Sequence, residues 1–197
     1  MQSIEHEKAT LRDAIRGVLP ASDVERRRAS ARAVDHLIDS DLWLGSDGPV
    51  LAYLARDDEL NLDPLFGRLD RSACAPRVDW TARLMTPVIV PALAADTRPG
   101  RAGIREPTES CRAIDPASLE IVLVPGVAFD ATGARLGRGG GFYDRFLAGL
   151  PPTVATIGVC FETQLVPRVP TETHDHRVGM ILTDRGLRPA AAPGPPR

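Results

Sequence analysis

The feature that most constrains the fold is segment 121–147, where an apolar run, a Pro-Gly turn, a glycine-rich loop and a helix pattern follow one another. The apolar run at 119–124 has the sequence LEIVLV, which is typical of a strand buried on both faces. Gly137 and the glycines at 139–141 let the backbone approach a ligand closely and adopt positive φ. The loop leads into a helix predicted over 142–149, and such a junction attracts anions. This order predicts an anion site at the carboxyl end of a buried strand.

Elsewhere the chain alternates helix patterns with short apolar runs. Helices are predicted over 4–19, before Pro20, and over 22–40, where Ser22 and Glu25 have the spacing of a capping box. The other predicted elements are a helix start at Asp63-Pro64, strands over 50–54, 86–90, 153–159 and 178–182, and an irregular loop over 91–118. Buried strands that alternate with helices predict an α/β sandwich with a mainly parallel, Rossmann-like sheet.

The chain is predicted to form one domain followed by a tail. A chain of 197 residues fits a single domain, which we place at residues 1–187. From residue 188 onwards the sequence is RPAAAPGPPR, and a segment so rich in proline and alanine is predicted to be disordered.

The composition excludes several classes of function. With 24 basic and 26 acidic residues the net charge is −2, which argues against a broad nucleic-acid interface. No stretch approaches the roughly 20 apolar residues of a membrane span, and the polar residues 1–12 do not resemble a secretory signal. The widely spaced Cys74, Cys111 and Cys160 favour a reduced, cytoplasmic protein. We expect a monomer, because no apolar seam is evident and the charge is near neutral.

Several basic residues are spaced so that they could bind an anion together. All 24 basic residues are arginines except Lys8, which shares a helix face with Arg12 four residues later. Two cations on one face repel each other unless an anion lies between them, although a solvated helix face remains the alternative. Arg135 and Arg138 flank the glycines with planar forks that suit phosphate oxygens. These residues favour a polyphosphate or carboxylate ligand.

The loop does not match the common nucleotide-binding motifs. No G-K-[ST] follows the glycines, as a Walker A motif requires, and Phe142 stands where G-x-G-x-x-G has its last glycine. A flexible glycine turn without a ligand therefore stays an alternative. Asp144, in the first turn of the helix, either complements the helix end or holds Mg²⁺ beside a phosphate. Within His174-Asp175-His176, Asp175 as a hard-cation ligand is favoured over a histidine-based metal site.

Residues 125–147, PGVAFDATGARLGRGGGFYDRFL, carry the strongest resemblance. They are similar to the signature of the 5-formyltetrahydrofolate cyclo-ligase family, P-G-x-x-F/Y-D, two spacers, then G-x-R-x-G-x-G-x-G-Y-Y-D. Further matches are K-x-x-L-R at 8–12, Y-L…D-E at 53–59, Pro76-Arg77, Glu106-Pro107 and V-P-x-x-x-H-D at 169–175. In chain order the resemblance covers about residues 5–185.

The resemblance implies a three-layer α/β fold and conversion of 5-formyltetrahydrofolate to 5,10-methenyltetrahydrofolate with ATP and Mg²⁺, releasing ADP and phosphate. It implies Lys8, Arg138 and Tyr143 as catalytic residues, and Asp144 and Asp175 as Mg²⁺ ligands. The implied ATP-binding residues are Lys8, Arg12, Arg135, Leu136, Gly137, Arg138, Gly139, Gly140, Gly141, Phe142 and Tyr143. The implied folate-binding residues are Leu54, Glu59, Glu106, Arg138, Gly139, Gly140, Gly141 and Phe142.

Two departures from the family pattern keep alternatives open. Phe142 replaces the first tyrosine of Y-Y-D, and Gly179 stands where many relatives have an acidic residue. One alternative is therefore a non-catalytic relative that binds folate or nucleotide and buffers or senses 5-formyltetrahydrofolate. Another is a sugar-phosphate isomerase or acyl-CoA transferase of similar fold, with Glu59 or Glu106 as base or nucleophile.

Overall fold

The computed structural model describes residues 3–67 and 72–192. Its strands are β1 (Val50–Leu51), β2 (Ala73–Asp79), β3 (Leu84–Ile89), β4 (Thr97–Pro99), β5 (Arg105–Pro107), β6 (Ile121–Pro125), β7 (Ala128–Phe129), β8 (Arg135–Leu136), β9 (Ala155–Val159), β10 (Met180–Thr183) and β11 (Gly186–Pro189). A seven-stranded sheet has the order β11-β10-β9-β6-β1-β2-β3. Strands β10, β9, β6, β1 and β2 run parallel, while β11 and β3 are antiparallel to their neighbours. Two antiparallel ribbons, β4–β5 and β7–β8, lie outside this sheet.

The helices are α1 (Ile4–Arg16), α2 (Asp23–Ile38), α3 (Asp41–Leu44), α4 (Asp63–Phe66), α5 (Leu93–Asp96) and α6 (Phe142–Ala148). The predicted capping box starts α2. The Ser22 hydroxyl accepts a hydrogen bond from the Glu25 backbone N–H, and the Glu25 carboxylate accepts one from the Ser22 N–H. Both N–H groups would otherwise lack partners at the helix start. No helix of residues 3–67 and 72–192 combines the length and the apolar character that crossing a membrane requires.

The sheet lies between two helical layers. Along β6, Ile121 and Leu123 pack in the core that contains Val34 of α2, whereas Val122 and Val124 pack in the core that contains α6. Successive strand side chains point to opposite faces, so an uninterrupted apolar run buries both faces at once. Helix α1 packs through Ile15 against the β7–β8 ribbon. The structure thus has the three-layer α/β fold that the sequence predicted.

Most predicted elements are confirmed with shorter bounds. The strands predicted over 119–124 and 153–159 correspond to β6 and β9, and the helix predicted over 142–149 to α6. Helix α1 ends at Arg16, before Gly17, three residues earlier than predicted from Pro20. The strand predicted over 50–54 contains only Val50–Leu51, and its last hydrogen bond to β2 is donated by the Ala52 N–H to the Cys74 carbonyl.

Three sequence predictions about the architecture need correction. Strand β2 was not predicted, because its seven residues include a proline and two charged side chains. Residues 91–118 are not irregular throughout, since they contain α5, β4 and β5. The predicted disorder from residue 188 is wrong for Arg188 and Pro189, which pair with β10 in β11, so the predicted boundary at 187 falls inside a strand. Residues 193–197 of the predicted tail lie outside the described residues.

Candidate active site

A cavity of about 500 Å³ opens at the carboxyl ends of β1 and β6. From β1 the chain crosses to β2 on one side, and from β6 it crosses to β9 on the other. The two loops therefore diverge, and the crevice between them is where ligands bind in open α/β sheets. Leu54, which follows β1, and Pro125 and Gly126, at the end of β6, line this cavity.

The structure brings all the predicted site residues to this one cavity. Its lining includes Lys8, Arg12, Leu54, Glu59, Glu106, Arg135, Leu136, Gly137, Arg138, Gly139, Gly140, Gly141, Phe142, Tyr143, Asp144 and Asp175. Their individual roles stay predictions. Gly179, one of the two departures from the family pattern, is not among the described residues that line the cavity.

The glycine-rich loop is fixed to α1 by Arg12, whose Nε donates a hydrogen bond to the Gly137 carbonyl at 2.9 Å. Gly139 and Gly141 adopt φ of 93° and 65°, in the left-handed region that side chains disfavour. Gly141 directly precedes α6. The loop thus needs glycine at these two positions to turn from β8 into α6.

Lys8 lies in an ion cluster that lines the cavity. Its Nζ is 2.7 Å from Glu172 Oε2 and 2.8 Å from Asp175 Oδ2, and its side chain is 8% exposed. Burial alone would lower the pKa of Lys8, but the hydrogen bonds and charges of Asp175 and Glu172 outweigh burial, and the pKa is raised. Lys8 is therefore a fully charged ammonium held between two carboxylates.

Asp175 is the most constrained carboxylate of this cluster. Its Oδ2 also accepts the backbone N–H of Glu172 at 2.7 Å. Burial opposes ionisation of Asp175, yet the hydrogen bonds from Lys8 and from the Glu172 N–H prevail and lower its pKa. Glu172, His174 and Asp175 each offer a ligand atom within 4.8 Å of the others. Glu172 was not predicted as a site residue, and its position three residues before Asp175 is its one signal in the sequence.

Asp144 is held by Arg135, whose Nη2 donates to Asp144 Oδ1 at 2.9 Å. The Arg135 side chain is 5% exposed, so this pair is shielded from water. The backbone N–H of His176 lies 3.5 Å from the same Asp144 oxygen, which brings the segment that carries Asp175 towards Asp144. The guanidinium of Arg135 therefore faces a carboxylate, and this contact favours a positioning role.

The donor set fits a magnesium ion. Mg²⁺ is typically held by one or two carboxylates together with phosphate oxygens and water. Each of Asp144 and Asp175 uses one carboxylate oxygen in the hydrogen bonds above, and within the described ranges Asp144 Oδ2 and Asp175 Oδ1 accept none. One oxygen of each carboxylate is thus available to a hard cation.

A second charged group lines the same cavity. Arg138 donates to Asp58 Oδ1 at 2.7 Å and to Glu59 Oε1 at 3.3 Å. Burial raises the pKa of Glu59, and the hydrogen bond from the Arg56 backbone and the charge of Arg138 offset only part of that effect. The Glu59 side chain is 10% exposed, which leaves a nearly buried carboxylate beside the cavity.

Trp80 and Phe142 form an aromatic wall of the cavity. Trp80, in the turn between β2 and β3, meets Phe142 edge to face with a centroid distance of 5.2 Å. The Trp80 Nε1–H donates to Glu106 Oε1 at 3.1 Å, and the Arg101 guanidinium lies 5.2 Å from the Trp80 ring. Trp80 and Phe142 therefore offer two nearly perpendicular ring surfaces, either of which suits contact with an aromatic ligand. Trp80 was not predicted as a site residue, because a single tryptophan in an unpredicted turn does not indicate a binding site.

The hydroxyl of Tyr143 is a buried polar group without a hydrogen-bond partner among the described residues. Burial raises its pKa, so it remains a neutral phenol. The Arg135 guanidinium lies 5.7 Å from the Tyr143 ring centre. An unpaired donor beside a cavity is costly unless a ligand satisfies it.

Comparison with known proteins shows the family to which this sequence is similar. Residues 4–184 match the model of the 5-formyltetrahydrofolate cyclo-ligase family. A 5-formyltetrahydrofolate cyclo-ligase from Escherichia coli strain K12 is 32% identical over 147 residues, which cover 68% of this chain and 76% of the relative. The counterpart from Mycolicibacterium smegmatis is 38% identical over 84 residues, so the match spans 42% of this chain and less than half, 43%, of that relative.

Two solved structures share the fold. The structure of Aquifex aeolicus 5,10-methenyltetrahydrofolate synthetase superposes with a TM-score of 0.80 at 28% identity, covering 96% of each chain. The 5,10-methenyltetrahydrofolate synthetase from Mycoplasma pneumoniae gives a TM-score of 0.72 at 20% identity, over 90% of this chain and 98% of that one. At the latter identity the likeness shows the fold alone.

Proposed function

Because the chain belongs to the 5-formyltetrahydrofolate cyclo-ligase family, we propose that its cavity converts 5-formyltetrahydrofolate to 5,10-methenyltetrahydrofolate, using ATP and Mg²⁺. The observation that carries the proposal is the convergence of every predicted site residue on one cavity. Cations, carboxylates and an aromatic wall all line that cavity.

The nucleotide would bind at the end formed by α1 and the glycine-rich loop. Lys8 and Arg12 would face the phosphates from α1, while the loop backbone approaches them without side chains in the way. Asp144 and Asp175 would hold Mg²⁺, which supplies neutralising charge to the phosphate oxygens. Arg135 would keep the Asp144 carboxylate oriented.

The folate would bind along the aromatic wall. Trp80 and Phe142 offer flat apolar contacts, and Leu54 extends them towards the end of β1. The Glu59 carboxylate would accept hydrogen bonds from ring N–H groups of the substrate. Glu106 already accepts the Trp80 indole N–H, so it would act by fixing that ring.

The chemistry requires positioning and charge stabilisation. The formyl oxygen attacks the γ-phosphorus, ADP leaves, and the oxygen becomes a phosphate ester, which is a good leaving group. N10 then attacks the formyl carbon and loses its proton, and phosphate departs to give the methenyl ring. Lys8 and Arg138 would stabilise the negative charge on the transferring phosphoryl group.

The test is the absorbance of the methenyl product. Purified protein is mixed with 5-formyltetrahydrofolate, ATP and Mg²⁺, and control reactions omit ATP or Mg²⁺. We expect product only in the complete mixture. Folate binding without any product would refute the enzyme and favour the non-catalytic binder, while product without ATP would favour isomerase- or transferase-type chemistry.

A further inference from the structure

Glu172 forms the shortest ion pair of Lys8, at 2.7 Å, yet the reaction above gives it no task. The ammonium of Lys8 is almost fully buried and depends on its two carboxylates to replace the water it has lost. Glu172 itself is 30% exposed and lines the cavity, so its side chain can adjust when a ligand enters.

Asp175 faces two competing demands. It is a counterion of Lys8 and, under the proposed function, a ligand of Mg²⁺. A carboxylate that gives its charge to a divalent cation becomes a weaker partner for an ammonium group. The Glu172 carboxylate lies within 4.8 Å of the ligand atoms of Asp175, so it can keep Lys8 in place when Asp175 engages the metal.

We propose that Glu172 is a positioning residue that retains Lys8 while Asp175 binds Mg²⁺, and so makes nucleotide binding depend on Mg²⁺. The proposal rests on the proposed function. The local charges support it, because Glu172, Asp175 and Asp144 outnumber Lys8 and Arg135 in this cluster. A nucleotide without Mg²⁺ meets excess negative charge there, whereas its Mg²⁺ complex does not.

The test measures binding of the non-hydrolysable β,γ-imido analogue of ATP by calorimetry, with and without Mg²⁺. The quantity compared is the dissociation constant without Mg²⁺ divided by the dissociation constant with Mg²⁺, so a larger ratio means a stronger dependence on Mg²⁺. In Glu172→Gln, Lys8 depends more on Asp175 and competes with Mg²⁺ for its carboxylate, which weakens binding of the Mg²⁺ complex. The Mg²⁺-free nucleotide meets one negative charge fewer, which strengthens its binding. We expect the ratio to fall at least about fivefold, within the usual range of coupling between two ligands. A merely structural role would weaken both affinities alike and leave the ratio unchanged.

Glu5→Gln is the matched control. Glu5 lines the same cavity from α1, and none of the described cations forms an ion pair with it. We expect its ratio to stay within about twofold of the wild type, since Glu5 is exposed and solvent screens its charge. An unchanged ratio in Glu172→Gln, or an equal change in Glu5→Gln, overturns the role of Glu172. Should Glu172→Gln fail to fold, Glu172→Ala gives the same measurement. A wild type that binds no nucleotide even with Mg²⁺ refutes the proposed function itself.

Discussion

Replacing Lys8 by methionine removes the charge at the centre of the ion cluster and keeps an unbranched apolar side chain of similar length. Losing one partner of a buried ion pair typically costs about 3–5 kcal/mol, because the other charge is left buried. Here the stranded carboxylates are partly hydrated, since Glu172 is 30% exposed and Asp175 12%. We therefore expect the free energy of unfolding to fall by about 1–3 kcal/mol.

The same variant should lose most of its activity. A single preorganised charge that stabilises developing negative charge is worth roughly 10²–10³ in turnover. We expect Lys8→Met to lower methenyl product formation by about that factor, with the fold retained. Unfolding is measured by circular dichroism in urea, and turnover by the absorbance of the product.

Arg16→Met provides a matched control on the same helix. Arg16 also pairs with an acid, Asp13 at 2.9 Å, but their side chains are 78% and 72% exposed. Exposed pairs contribute little, so this variant should lose less than about 0.5 kcal/mol and keep its turnover. A Lys8→Met protein as stable as Arg16→Met would contradict the buried pair, and near-normal turnover would contradict the phosphate role of Lys8.

Three further predictions concern pH, the folate wall and the departures from the family pattern. The pKa of Asp175 in the folded protein is lowered from 3.8. The pairing of Asp175 therefore stabilises the fold above pH 3.8, and this stabilisation is lost as the pH falls through the folded pKa. The difference in unfolding free energy between wild type and Lys8→Met should thus narrow below about pH 4 in urea titrations. Trp80→Ala should raise KM for the folate roughly tenfold and leave KM for ATP within about twofold in steady-state assays, because only the folate would contact that ring. Gly179→Asp and Phe142→Tyr should each keep turnover within about threefold, since the first lies outside the cavity lining and the second preserves the ring contacts.

The sheet was predictable because its signal is local. Apolar runs such as 119–124 and 153–159 bury both faces of a strand, and this requirement is visible in consecutive residues. Strand β2 gave no such signal. Its second half, at Arg77 and Asp79, pairs with β3 at the end of the sheet, where burial no longer selects apolar residues. The ribbon of β4 and β5 was missed because each strand has only three residues, too few for an apolar pattern to show.

The site was predictable in so far as its residues belong to a contiguous motif. The loop from Arg135 to Asp144 is one segment, and family resemblance placed Lys8 and Asp175 beside it. Pairing between distant segments carried no signal. Lys8 and Glu172 are separated by 164 positions, and only the fold shows that Glu172 shares the ammonium with Asp175. Trp80 reaches Phe142 from a turn that the sequence did not predict.

The two departures from the family pattern carry different weight once their positions are known. The Gly179 N–H donates to the Thr156 backbone and hydroxyl, and a Cβ at Gly179 would meet only the Thr156 oxygens, at 3.7 and 3.8 Å. A Cβ is accommodated there, and Gly179 is not among the described residues that line the cavity, so the absence of an acidic residue does not argue against catalysis. Phe142 does line the cavity, yet its ring contacts Trp80 through an edge-to-face arrangement that needs no hydroxyl. Neither departure removes a charge from the cluster around Lys8, and this is why the ligase is favoured over a relative that only binds.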